Sequence, residues 1–146
     1  MKYRKFQDET VKNKYASYPQ KVRTQLLLIR ELIFQIAAQS QDIGQIEEIL
    51  KWETPSYLTY NPKSGTTIRL GIENGCNNRY SISVHCQTTL VAEFKEIHPE
   101  LEYDKNRSLI FDTKEELPIE TIKQFIFSAL TYHYRKKHGL GPKERH

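Results

Sequence analysis

Apolar side chains recur at Val22, Leu26, Ile29, Ile33 and Ile36, in alternating steps of four and three residues. That spacing predicts one face of a helix of about five turns, ending near Gln39. Leu28, Leu32 and Phe34 widen the stripe, so the helix is expected to be covered on more than one side. Ser17 followed by Gln20 has the form of a capping box at its start. Asp42 and Gln45 suggest a second cap, opening a short helix with Ile46, Ile49 and Leu50 inward and Pro55 as its stop. Trp52, the only tryptophan, stands at this junction, where an indole can plug the gap between a helical layer and a sheet.

Beyond Pro55 the period changes to two. Ile68, Leu70 and Ile72 alternate with Thr67, Arg69 and Gly71, and Tyr80, Ile82, Val84 and Cys86 alternate with Arg79, Ser81, Ser83 and His85. Both stretches read as half-buried strands, with residues 57–60 as a third beside them. Asn74-Gly75 between them suggests a tight two-residue turn. That register would set Leu70 against Arg79, so a loop of three or five residues, or a bulge, is expected instead. Thr88 caps a third helix with Leu90, Val91, Phe94 and Ile97 inward, stopped by Pro99. Residues 101–104 and 108–111 form a second hairpin around Lys105-Asn106. Pro118 opens a last helix carrying Ile119, Ile122, Phe125, Ile126, Ala129 and Leu130, with Gly139 beyond its end. The order is helix, short helix, three strands, helix, two strands, helix. It predicts an α+β fold, a five-stranded, mainly antiparallel sheet with helices packed on one face. Residues 1–137 form one domain and residues 138–146 a basic tail.

Composition narrows the class. A chain of 146 residues with 38% hydrophobic and 27% charged side chains fits one soluble domain. No apolar run is long enough to span a bilayer, and the basic first residues lack the apolar stretch of a signal peptide, so a cytoplasmic protein is expected. Cys76 and Cys86 are too few for a disulfide framework. The net charge of +4 is concentrated at the ends: residues 6–134 hold 14 basic and 17 acidic side chains. Nucleic-acid binders carry their basic stripe on the folded face, so nucleic acid is demoted as a partner.

The polar face of the central hairpin is the main chemical candidate. Alternation gathers Thr67, Arg69, Ser81, Ser83 and His85 on one side of the sheet. Half-wet antiparallel sheets commonly present such a face to solvent. The sharper reading is a concave site in which Arg69 pairs with an anion and His85 donates or shuttles a proton, walled by Trp52, Ser56 and Tyr57. His85 and Cys86 fall on opposite faces of a regular strand, so they form no nucleophile–base dyad, and Cys86 reads as a buried structural thiol. His133 falls on the inward stripe of the last helix, as a core histidine or as a site residue beside Tyr132 and Tyr134. Residues 93–104 concentrate Glu93, Glu96, His98, Glu100, Glu102 and Asp104, oxygen-rich ligands of the kind that suit iron, or else a solvated helix end. No HExxH motif, EF-hand loop or glycine-rich phosphate loop is present, and no constellation supports an enzyme.

The blocks KYASYPQKVRTQLLLIRELI, EEILKWETPSYLT, SGTTIRL, VHCQTTL, NRSLIFD and ALTYHYRKK together resemble the YdhG-like family of small bacterial proteins, across residues 3–137. The resemblance implies a compact α+β domain in a cytoplasmic bacterial protein of unknown function. One branch of the family is regarded as a frataxin-like iron chaperone serving iron–sulfur assembly proteins. The positions that match the blocks are Trp52, Pro55, Ser56, Tyr57, Thr67, Arg69, His85, Arg107, Tyr132 and His133. Three functions follow as expectations. The first is a binding module for a small anionic ligand at Arg69, His85 and Arg107. The second is an iron chaperone using the carboxylates of residues 93–104, with iron weakly bound. The third is a protein-interaction subunit, possible as a homodimer, with Tyr57, Tyr60 and Tyr132 on its face.

Overall fold

A computed structural model describes residues 3–73 and 76–139. The elements in chain order are α1 (Glu9–Ser17), α2 (Gln20–Ala38), β1 (Gln45–Lys51), β2 (Thr54–Tyr60), β3 (Ile68–Ile72), β4 (Arg79–Ser83), α3 (Leu90–Ile97), β5 (Glu102–Asp104), β6 (Ser108–Asp112), α4 (Ile119–Leu130) and α5 (Tyr132–His138). The strands form one antiparallel sheet in the order β1-β2-β3-β4-β6-β5. Helices α1 and α2 pack on the sheet, α4 packs on α2, and α3 and α5 pack on α4. Among the described residues no helix is long and apolar enough to cross a membrane.

The α+β architecture agrees with the sequence reading, with six strands among the described residues in place of five. The sixth is β1, expected as a short helix. Ile46 and Glu48 face the core there, and Glu48 is 2% exposed. The strand repeat was hidden because one of its inward residues is a carboxylate. Trp52 and Glu53 form the β1–β2 turn, both with positive φ (53° and 61°), the backbone of a primed two-residue hairpin. Trp52 is therefore 86% exposed at a hairpin tip and plugs nothing. Pro55, expected to stop a helix, lies within β2 opposite Leu50.

Other local expectations shift for identifiable reasons. Ser17 closes α1, an unexpected helix, by donating to the Lys14 carbonyl, and α2 begins after Pro19 without a side-chain cap. Thr88 donates to the His85 carbonyl, and Thr89 takes the position before α3. The single last helix divides at Thr131, because the β2–β3 loop captures carbonyls at the end of α4. Ser64 Oγ donates to the Leu130 carbonyl at 2.7 Å, and the Thr66 amide donates to that of Ala129 at 2.9 Å. Gly65 makes this approach feasible, since a Cβ there would lie 2.4 Å from Leu130 Cα. The central hairpin sets Leu70 against Ile82 and Ile72 against Tyr80, the apolar-on-apolar register that an odd loop requires. Asn74-Gly75 lie outside the described residues, as do residues 140–146 of the basic tail.

One buried polar network joins the layers. Arg30 of α2 and Glu48 of β1 are both fully buried as side chains and form a bidentate pair, Arg30 Nη2 donating to Glu48 Oε1 at 3.0 Å and Nε to Oε2. The remaining guanidinium donors reach the Arg4 carbonyl (2.8 Å), the Lys5 carbonyl (3.1 Å) and Glu31 (3.1 Å). Glu48 also accepts from Tyr57 Oη at 2.8 Å and from the Gln7 amide at 3.0 Å, and Tyr57 Oη meets Tyr15 Oη at 2.6 Å. Breaking such a pair on one side strands a buried charge. Arg30→Met is expected to cost about 3–5 kcal/mol in urea unfolding, and Arg30→Met with Glu48→Leu to recover much of that loss. A double variant no more stable than the single one would show that the pair itself, and not a stranded charge, carries the stability.

Burial raises the phenol pKa of Tyr15 and Tyr57 well above the ordinary value, and that of Tyr18 to about 12. Below about pH 10 folded and unfolded chains both keep these protons. Above it the unfolded chain releases protons that the folded chain holds, so stability falls as pH rises. Alkaline titration followed at 295 nm is expected to show part of the tyrosine absorbance appearing only together with loss of the helical circular-dichroism signal.

Candidate functional site: the outer face of the sheet

The face of the sheet turned away from the helices of the described residues carries the alternate residues of each strand. Its register aligns Ser56 of β2, Arg69 of β3, Ser83 of β4, Ser108 of β6 and Asp104 of β5 in a single cross-strand row. The neighbouring row holds Gly71, Ser81, Ile110 and Glu102. Over these rows lies an open depression of about 280 Å³, lined by Thr54, Arg69, Gly71, Glu73, Ser81, Ser83, Asp104, Arg107 and Ser108.

Arg69 is the residue that its surroundings leave unfinished. Its Nε is buried and has no hydrogen-bond partner among the described residues. A buried donor left unpaired costs about 1–3 kcal/mol. None of the ion pairs among the described residues involves Arg69, Arg107, Glu73 or Asp104, although all four line the depression. Between Arg69 and Asp104 the floor is made of hydroxyls, with Ser83 Oγ and Ser108 Oγ 2.7 Å apart. Ser56 is fully buried beside Arg69, its hydroxyl donating to the Thr54 carbonyl at 2.9 Å.

Gly71 opens the floor. Its φ is not positive, so the backbone does not demand glycine. A Cβ there would meet Thr54 Cγ2 at 3.6 Å and Ser81 Oγ at 3.7 Å, ordinary contacts. Glycine inside a strand weakens it and marks places where something approaches the backbone closely. Here its effect is to leave space above the sheet next to Arg69.

The other candidates are dispersed. Tyr57 lies on the core face with its hydroxyl in the Glu48 network, and Tyr132 is also buried, so no face of Tyr57, Tyr60 and Tyr132 is assembled. Trp52 is at the β1–β2 tip, and Thr67 just precedes β3 outside the lining of the depression. β4 ends at Ser83, so His85 stands exposed in the following turn, its Nδ1 accepting from the Gln87 amide at 3.1 Å. For the same reason Cys86 is exposed and not a buried thiol, while Cys76 is half-buried at the opposite end of β4 and both are free. His133 is exposed on α5, edge-on to the Tyr132 ring, and not in the core.

The oxygen-rich segment does not close around a point. Glu93 accepts from Thr89 Oγ1 at 3.1 Å, while Glu96 is exposed. His98 lies between Glu100 (3.3 Å) and Gln124 (3.1 Å), and Glu102 pairs with Arg79. Asp104 points into the outer-face depression. Among the described residues no three His, Cys, Asp or Glu side chains are grouped to hold a metal ion. The sequence reading missed Thr54, Gly71, Glu73 and Ser108 as site residues. The short β5–β6 turn sets Asp104 opposite Ser108 on one face, but only the strand order carries them next to Ser83.

No protein-family model matches the sequence, and no curated protein matches it. The fold is similar to that of a crystal structure of a DUF1801-family protein, YdhG, from Bacillus subtilis, with a TM-score of 0.54 and 12% sequence identity. The match covers 81% of this chain and 86% of that one. At this identity the likeness carries the architecture alone. The chain shares the fold of a protein from the family that its sequence blocks resemble.

Proposed function

We propose that the protein is a small-ligand-binding module whose outer-sheet depression takes the anionic group of a small molecule. The observation that carries this reading is the buried, unpartnered Nε of Arg69 in an open depression floored by Gly71 and the hydroxyls of Ser81, Ser83 and Ser108. A carboxylate or phosphate oxygen supplies the missing acceptor, and charge-assisted bonds to guanidinium are among the stronger ones available. Arg107, on the β5–β6 turn, lines the same space. His85, outside the lining, has no assigned part in it.

The iron-chaperone reading needs carboxylates that converge, and the residue 93–104 set is spread over a helix end, an ion pair and the outer face. No observation favours it over the anion site. The homodimer reading likewise lacks its aromatic face, since Tyr57 and Tyr132 are buried.

Calorimetric titration with sodium phosphate at low ionic strength tests the proposal. Saturable binding is expected, weakened at least tenfold by Arg69→Met, which is about 1.4 kcal/mol of binding free energy. The urea midpoint of that variant is expected to hold or rise, because the substitution removes an unpaired buried donor. Gly71→Leu, which fills the floor, is expected to weaken binding as well. Arg69→Met protein that binds phosphate as the parent does would remove Arg69 from the site, and protein that unfolds would assign Arg69 a structural role instead.

A further inference from the structure

The depression is lined by two arginines and two carboxylates, and we infer that its ligand is a zwitterion, with its anionic group on Arg69 and its ammonium group on Asp104. This deepens the binding-site reading above and rests on it. Arg69 and Asp104 lie three strands apart in a single cross-strand row, with Ser83 and Ser108 between them. Three strand spacings separate their Cα atoms, about 14 Å at the usual inter-strand distance. Side chains stand roughly perpendicular to a sheet. The two charges accordingly face the same space without touching, and neither makes an ion pair among the described residues.

Charge balance separates a zwitterion from a simple anion. An anion drawn to Arg69 and Arg107 also meets Glu73 and Asp104, two carboxylates that make no ion pair among the described residues, and like charges brought together oppose binding. A molecule carrying both signs is attracted at both ends. The floor suits the stretch between them. Ser83 Oγ and Ser108 Oγ bond each other at 2.7 Å, and each hydroxyl retains acceptor capacity for polar atoms above it. The absent side chain of Gly71 keeps the approach to Arg69 open. The class indicated is a small amino acid in which several bonds separate the ammonium from the acid group.

Two probes that differ only in the ammonium group test this: 5-aminopentanoate and pentanoate, with inorganic phosphate as a third. Amide chemical shifts of the full chain are followed by NMR during each titration. The aminopentanoate is expected to move Arg69, Ser83, Ser108 and Asp104 with at least tenfold higher affinity than pentanoate. Asp104→Asn is expected to remove that advantage while leaving pentanoate binding unchanged or improved, and Arg69→Met to weaken both. Equal affinity of the two organic probes, or phosphate binding with neither of them, overturns the zwitterion and leaves the anion site standing. Silence of the outer-face amides toward all three overturns both readings.

Discussion

A guanidinium removed from water must place five N–H donors, and around that requirement the helical side of this molecule is assembled. Arg30 satisfies it with Glu48, Glu31 and the carbonyls of Arg4 and Lys5, and its planar group lies over the Phe6 ring at 4.2 Å. The chain before α1 is thereby held across α2 and β1. Gln7 completes the strap: its side-chain amide donates to the Ile46 carbonyl at 3.1 Å and accepts from the Glu48 amide at 2.9 Å. Those are bonds that a further strand would make, so Gln7 closes part of the β1 edge against unwanted pairing. The desolvation of two charges offsets much of their attraction, so the pair does more to fix geometry than to add stability. A one-residue slip of β1 would turn Glu48 to the opposite face and leave Arg30 unpaired.

The same network explains what the sequence conceals. Helix α2 and the two central strands were legible because their inward residues are apolar and regularly repeated. In β1 the inward pair is Ile46 and Glu48, and the partner that makes Glu48 a core residue lies in another element. Reading the apolar residues alone gives Ile46, Ile49 and Leu50, a helical spacing. The turn after β1 is equally silent, since Trp52-Glu53 lacks the glycine or asparagine that signals left-handed backbone. Helix α1 buries only Val11 and Tyr15, too few to mark a stripe.

The candidate site was half legible for a related reason. Arg69, Ser81 and Ser83 share a face through simple alternation along a hairpin that is contiguous in sequence. Asp104 and Ser108 join them because β6 returns beside β4 and carries β5 to the sheet edge. Asp104 looked like one of a cluster of carboxylates along the chain, yet the fold sends Glu93, His98, Glu102 and Asp104 to separate surroundings. Proximity in sequence overstated that metal cluster and hid the row of mixed charge.

The two faces of the sheet are coupled through register. Leu70, Ile82 and Leu109 are cross-strand neighbours in the core, and Arg69, Ser83 and Ser108 are the row immediately beside them facing outward. The hydrophobic packing that fixes the first alignment therefore fixes the second. A slip that misplaced Arg69 relative to Asp104 would also expose the core face, so the spacing of the charges is protected by the stability of the whole sheet. The identities of the outward residues carry no such protection, because most of them bear little on the core. A shared fold at 12% identity is compatible with quite different ligands on this face, and the chemistry of this chain has to be argued from its own row of residues.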